Sequence, residues 1–216
     1  MKIYKIDDIE IEVEYKPRNK NSYLSIDSDG RVRFKTAMRF GFKIEAFLRD
    51  RLGWIREKQL QISLRESKKE TLGVDVLLEG ELVSLLECPT LLKMCQRLHV
   101  KDEESLSRCY NRFYLQKAHE ELTLHVKQLS EETKLYPSDL RFRKMKRQWG
   151  NCNSKGVITL NTSLIKLNRE HRAYVIIHEL SHLKHMNHSR DFYKLLYKLY
   201  PKAREIEKEL KNIHFH

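Results

Sequence analysis

Apolar and polar positions alternate at the start of the chain. Ile9, Ile11 and Val13 interleave with Glu10, Glu12 and Glu14, a period of two that predicts a strand with one buried face. Tyr23-Leu24-Ser25-Ile26 runs into the turn cluster Asp27-Ser28-Asp29-Gly30, after which Val32 and Phe34 alternate with Arg31, Arg33 and Lys35; this reads as a hairpin. The period then changes. Ile44, Phe47, Leu48, Leu52, Ile55 and Leu60 sit at helical spacing, predicting a helix from Lys43 to about Ser67, with Gly53 a weak point inside it. Leu77, Leu78, Leu82, Val83, Leu85 and Leu86 suit either short strands or a helix. A long helix is expected from Ser105 to about Thr133, buried through Leu106, Cys109, Tyr110, Phe113, Leu122, Val126 and Leu129, with Ser105 or Ser107 as N-cap. Strands are expected next at Leu140–Met145 and Val157–Leu160, separated by a turn at Gly150–Gly156. No internal repeat is visible. A division near residue 100 is expected, with residues 1–100 β-rich plus one helix and residues 101–216 a second domain. The fold class is α+β.

Composition narrows the class. The chain has 216 residues with 42 Lys and Arg against 30 Asp and Glu, a formal charge of +12. At 40% apolar and 33% charged it reads as a globular chain with a real core. No stretch approaches the ~18 uncharged residues of a membrane span, so no membrane partner is expected. Acidic Asp7 and Asp8 come too early for a signal peptide, and Cys88, Cys95, Cys109 and Cys152 form no CxxC pair, so a reduced, cytoplasmic setting is expected. The densest basic run is Arg141-Phe142-Arg143-Lys144-Met145-Lys146-Arg147. It admits a solvated strand face or contact with nucleic acid or an acidic partner.

The chemistry concentrates in residues 169–188. Asn168 is a suitable N-cap, and Tyr174, Ile177 and Leu180 lie at helical spacing. On this helix sits His178-Glu179-Leu180-Ser181-His182. Histidines at i and i+4 lie about 40° apart around a helix and one turn apart along it. Both imidazoles can therefore reach one metal ion at ~2.0–2.1 Å. Glu179 points roughly 100° away from His178, flanking the ion where a general base must stand. Random placement at this composition yields HExxH about 0.04 times per chain, and on the order of 0.002 times with a further histidine at a preset position. His188, six residues after His182, is that histidine.

His188 can join the other two only if the helix breaks, because an unbroken helix would turn it about 240° away from His182. Asn187 tolerates the left-handed conformation that ends helices, and Ser189 is a natural N-cap for a next helix, Arg190–Tyr200. His185 stays on the same face but lies about 10.5 Å along the axis from His178. Glu205 and Glu207 are other candidates for a third ligand. Three protein ligands leave a fourth position open for water, whose pKa bound Zn2+ lowers toward ~7. Glu179 would take that proton and return it to a leaving amine. Trp149 and Gly150 could present a strand edge to an extended substrate. Tyr174 and Tyr193 could stabilise an oxyanion or simply fill the core.

The run His178-Glu-Leu-Ser-His-Leu-Lys-His-Met-Asn-His-Ser189, followed by Phe192, resembles the signature of the YgjP-like metallopeptidase family. Met145-Lys-Arg-Gln-Trp-Gly-Asn-Cys152, Gly156-Val-Ile-Thr-Leu-Asn161, Leu24-Ser-Ile26, Asp29-Gly-Arg-Val32 and Trp54-Ile55 are similar to further stretches of that family. Gln148, Asn151 and Tyr193 depart from it, standing where Arg, Ser and Trp are favoured. The resemblance implies a zincin-type catalytic domain after a β-rich N-terminal part, with His178, His182 and His188 on zinc and Glu179 catalytic. It also implies a protein or peptide substrate. The SprT-like and WLM relatives act on DNA-bound protein, a role with which the +12 charge is compatible. Two alternatives compete: a metal-dependent nuclease-like hydrolase, similar to the YbeY family in histidine spacing, and a non-catalytic basic binding module. Glu179 argues against both.

Overall fold

The computed structural model of the chain describes residues 2–66, 70–211 and 213, with residues 64–66 described by their backbone alone. It has the α+β architecture expected, and it divides into two compact units, Met1–Lys69 and Glu70–His216.

In the first unit, β1 (Lys2–Ile6), β2 (Ile9–Tyr15), β3 (Tyr23–Ile26) and β4 (Val32–Thr36) form one sheet in the order β1-β2-β4-β3. The alternation in β2 buries Ile9, Ile11 and Val13, and the β3–β4 hairpin forms as expected. The parallel pairing of β2 with β4 was not readable from local pattern. Helices α1 (Gly41–Asp50) and α2 (Leu52–Glu66) replace the single helix predicted from Lys43. Arg51 breaks it with φ −101° and ψ 0°, and its N–H turns back to Leu48 O and Arg49 O. Ser67, the predicted end, lies outside the described residues. Ile11, Phe34, Leu48 and Ile55 are fully buried in this unit's core, and the Phe34 and Phe47 rings stack at 5.0 Å.

The second unit begins with a hairpin, β5 (Asp75–Leu78) and β6 (Glu81–Ser84). Its two-residue turn takes positive φ at Glu79 (53°) and Gly80 (88°), the primed geometry that matches strand twist. The Glu79 and Gly80 N–H groups donate to Ile165 O and Lys166 O, which holds the non-glycine residue in its unfavourable conformation. Helix α3 (Pro89–Arg97) comes next. Val76, Cys88 and Leu91 share a core with Cys109, Tyr110 and Ile176, so residues 70–100 pack with the later helices, and the division expected near residue 100 falls inside this unit.

Helices α4 (Glu103–Lys117) and α5 (Thr123–Thr133) are joined by a π-helical turn, Ala118–Leu122, which gives the long helix expected. Its N-cap is Asp102 rather than Ser105 or Ser107. The Asp102 carboxylate accepts from Ser105 N–H at 2.7 Å, and the Ser105 hydroxyl accepts from Asp102 N–H at 3.1 Å, a reciprocal capping box. Lys134, at φ 58°, ends α5.

Strands β7 (Asp139–Arg143), β8 (Gly150–Cys152) and β9 (Val157–Asn161) form a sheet in the order β7-β9-β8, so β8 is an edge. A 3-10 turn, Thr162–Lys166, leads into α6 (Arg169–Ser181), then α7 (Arg190–Leu199) and α8 (Ala203–Leu210). The described cysteines are all free, with Cys88 and Cys109 buried. Among the described residues no helix is long and apolar enough to cross a membrane.

Candidate metal centre

Asn168 caps α6, its side chain accepting from His171 N–H at 2.9 Å. Four residues on, Arg172 is buried and donates from Nε to Leu164 O at 3.0 Å and from Nη1 to Glu121 Oε2 at 3.0 Å. The π-helical turn brings Glu121 to it. These bonds fix the helix on which His178 and Glu179 ride.

The helix stops at Ser181, ahead of the break expected at Asn187, and no left-handed residue at Asn187 is needed to stop it. The N–H groups of His182, Leu183 and Lys184 each bond three residues back, to Glu179 O, Leu180 O and Ser181 O. This tightening is a common helix end. His182 Nδ1 lies 3.0 Å from His185 O, to which it donates, leaving Nε2 with its lone pair outward. His185 therefore serves through its carbonyl. Ser189 caps α7 as expected, its hydroxyl accepting from Phe192 N–H.

The break returns His188 to the other two histidines. One nitrogen from each of His178, His182 and His188 lies within 4.8 Å of the others, and the two Nε2 atoms of His178 and His188 are 3.0 Å apart. Three imidazoles gathered so closely fit a tetrahedral divalent ion, whose ligand atoms stand roughly 3.3 Å apart at ordinary bond lengths. Burial, then the neighbouring His182 and His188, pushes the His178 pKa down to about 3, and burial lowers that of His182. Both are therefore unprotonated near neutrality, as ligation requires. Glu205 and Glu207 lie outside the cluster; Glu207 pairs with Lys211 at 2.8 Å.

Glu179 is buried, and its Oε2 has no hydrogen-bond partner among the described residues. Burial pushes its pKa up to about 8. Its neighbour across the cleft is Gly150: a Cβ there would stand 2.8 Å from Glu179 Cγ and Oε1. Cys152, on the same strand, has its thiol pushed up to about 11 by burial and the Glu179 charge, so it stays protonated. Tyr174 is buried with its ring 5.8 Å from that of His178, and Tyr193 lies 6.1 Å from His188. A cleft of about 410 Å3 runs along this surface, lined by Trp149, Gly150, Tyr174, His178, Glu179 and Glu207 among others.

Residues 20–213 match the YgjP-like metallopeptidase domain. The chain belongs to the YgjP-like family. Membership makes it a metallopeptidase, a hydrolase of proteins or peptides that employs a divalent metal. No curated protein matches this YgjP-like chain. Solved structures similar to part of it include two metallopeptidase zymogens. The metallopeptidase zymogen abylysin of Pyrococcus abyssi is 28% identical over 39% of this chain and 87% of its own, with a TM-score of 0.36. The zymogen jannalysin of Methanocaldococcus jannaschii is 24% identical over 39% and 88%, with a TM-score of 0.35.

Two residues escaped prediction as parts of the site. Phe192 is fully buried, and its ring lies 5.0, 4.6 and 4.8 Å from those of His178, His182 and His188. Asn161 is fully buried and ties down the segment before β8. Each reads in sequence as an ordinary core or strand-end residue, and only the family-like stretches that contain them gave a signal.

Proposed function

We propose that this YgjP-like protein is a zinc peptidase in which His178, His182 and His188 hold the ion and Glu179 is the general base. The observation that carries this reading is the buried Glu179 carboxylate, one oxygen unpartnered, on the same helix as two of three clustered imidazoles. Three neutral nitrogen donors suit Zn2+ better than the harder Mg2+ or Ca2+. When bound, zinc polarises the scissile carbonyl and makes water acidic enough to attack it near neutral pH.

The chain's own residues supply the rest. Glu179 takes the proton from the attacking water at its carboxylate and hands it to the amine nitrogen as the C–N bond breaks. Burial raises its proton affinity into the range where both transfers are feasible near neutrality. Strand β8 offers a free edge to an extended peptide. Gly150 lets the backbone of that strand lie against the carboxylate, which excludes water from one side of it. A thiol nucleophile at Cys152 is disfavoured by its raised pKa.

The test is elemental analysis of protein purified without a histidine tag, beside peptidase assays. Wild type should hold one zinc per chain, and His188→Ala should lose most of it. Glu179→Gln should keep zinc and lose hydrolysis. Full hydrolysis by Glu179→Gln would overturn the general-base role, and a wild type that binds no zinc would overturn the site.

A further inference from the structure

The basic run at residues 141–147 has no part in the chemistry above, yet the structure sorts its charges. Arg141 pairs with Asp139 at 2.8 Å, and Lys144 donates to Asn111 at 2.9 Å. Arg143, Lys146 and Arg147 are exposed and have no hydrogen-bonding or ionic partner among the described residues. Of these three, only Arg147 lines the cleft that contains His178 and Glu179. The other cation on that lining, Lys211, is held by Glu207 at 2.8 Å, and this pair is neutral as a unit. Arg147 is thus the one uncompensated cation among the described residues of the wall, which also carries Trp149, Val175 and Leu210. Low-dielectric walls focus the field of a charge into a cleft.

We propose that Arg147 determines specificity by docking a substrate carboxylate in this cleft. The proposal rests on the reading of the cleft as the peptidase site. Arg147 stands three residues before Gly150, so the same chain segment that offers the β8 edge carries the guanidinium. A guanidinium suits a carboxylate because its paired N–H groups match the two oxygens. A single uncompensated cation on the cleft wall suits one carboxylate; Arg143 and Lys146 lie off that wall, and a nucleic-acid backbone takes a track of several cations. The carboxylate comes from an acidic side chain or from the free C-terminus of the peptide.

The experiment measures equilibrium binding of fluorescent ten-residue peptides to zinc-loaded Glu179→Gln protein, with and without Arg147→Glu, at low salt. The peptides carry one central Glu or Gln, each with a free or an amidated C-terminus. A side-chain source predicts the Glu peptide binding about tenfold more tightly than the Gln peptide, and Arg147→Glu should abolish or invert the preference. A terminal source predicts the same contrast between free and amidated ends. Arg147→Lys should restore part of either preference. Equal binding of all four peptides, or preferences that Arg147→Glu leaves intact, would overturn the proposal. So would a single-stranded oligonucleotide that outcompetes the Glu peptide through Arg147. Wild-type cleavage assays separate the two levels. Cleavage blind to carboxylates overturns the role of Arg147 and leaves the peptidase reading. Arg147-dependent binding without any cleavage does the reverse.

Discussion

Gly150 and Glu179 are packed so tightly that a methyl group on Gly150 would stand 2.8 Å from both Cγ and Oε1 of Glu179. Such contacts essentially never occur between real Cβ atoms and their neighbours, so the Glu179 side chain would have to shift. Gly150→Ala should therefore displace the carboxylate and leave the histidines where they are. Displacements near 1 Å in a reacting group cost about 100-fold in rate. The expected outcome is kcat down about 100-fold, KM changed by a few-fold at most, and zinc content unchanged. Gly53→Ala is the control, since nothing lies within 4 Å of the added methyl in that helix. It should raise stability by roughly 0.5–1 kcal/mol with no change in kcat.

Phe192 forms the floor under the three imidazoles, its ring 4.6 Å from that of His182 and fully out of water. Phe192→Ala should cost about 3–5 kcal/mol through the cavity it leaves. The metal should suffer as well, because rings that lean on Phe192 lose their orientation; changes to residues that support metal ligands typically cost about 10–100-fold in affinity. Phe192→Leu separates the two effects by keeping most of the volume. Thermal unfolding with and without added zinc measures both. The zinc-free midpoint reports packing, and the shift on adding zinc reports affinity. A zinc-induced shift as large in Phe192→Leu as in wild type would mean that the ring only fills space.

The features readable from sequence are local ones. Strand β2 announces itself because burial on one face demands alternation, and Asn168 and Ser189 are caps because their side chains reach a backbone N–H three residues on. His178 and Glu179 are adjacent on one helix, so their geometry follows from its pitch. A break before His188 is expected from sequence, but through the wrong device: successive three-residue bonds and the His182–His185 contact end α6 well ahead of Asn187. Features set by distant partners leave no local trace. Glu79 holds a positive φ because Ile165 O accepts its N–H. Arg172 looks like a surface residue on a helix until Glu121, 51 positions earlier, reaches it through the π-helical turn. Asp102 ranks equal to the two serines in cap preference, so preference alone does not choose among them; its carboxylate also complements the positive end of α4.

Asn161 spends every polar atom of its side chain on one segment. Its Nδ2 donates to Met145 O at 2.8 Å and Gln148 O at 2.9 Å, while Oδ1 accepts from Met145 N–H at 3.3 Å and Ser163 N–H at 3.0 Å. Its backbone N–H donates to Trp149 O at 2.8 Å. Residues 145–149, which deliver Gly150 to Glu179, are therefore shaped by this one amide. Asn161→Asp keeps the volume but sets carboxylate oxygens against two carbonyl oxygens, each buried contact costing about 1–3 kcal/mol. It should destabilise the fold and lower kcat/KM beyond what lost folded protein explains, with zinc still bound. Activity per folded molecule equal to wild type would show that β8 does not need the amide.

His125, on α5, supplies a pH dependence remote from the metal. Burial lowers its pKa below the ordinary 6.5, with the positive charges of Arg169 and Arg172 acting in the same direction and Glu132 opposing them. The unfolded chain therefore binds a proton more readily than the folded one between the folded-state pKa and about 6.5. Stability must rise with pH across that window and be lost as pH falls below about 6.5. His125→Gln removes the proton-binding step from both states. Urea unfolding of wild type and variant from about pH 5 to 8, both in chelator, isolates the contribution. The clustered histidines His178, His182 and His188 are the same in both proteins, so what they contribute cancels in the difference. The wild type should lose more stability than His125→Gln on acidification, with the two curves parallel above about pH 7. Curves parallel throughout would mean that His125 is solvated enough to titrate normally, and that the Arg169 and Arg172 charges are screened from it.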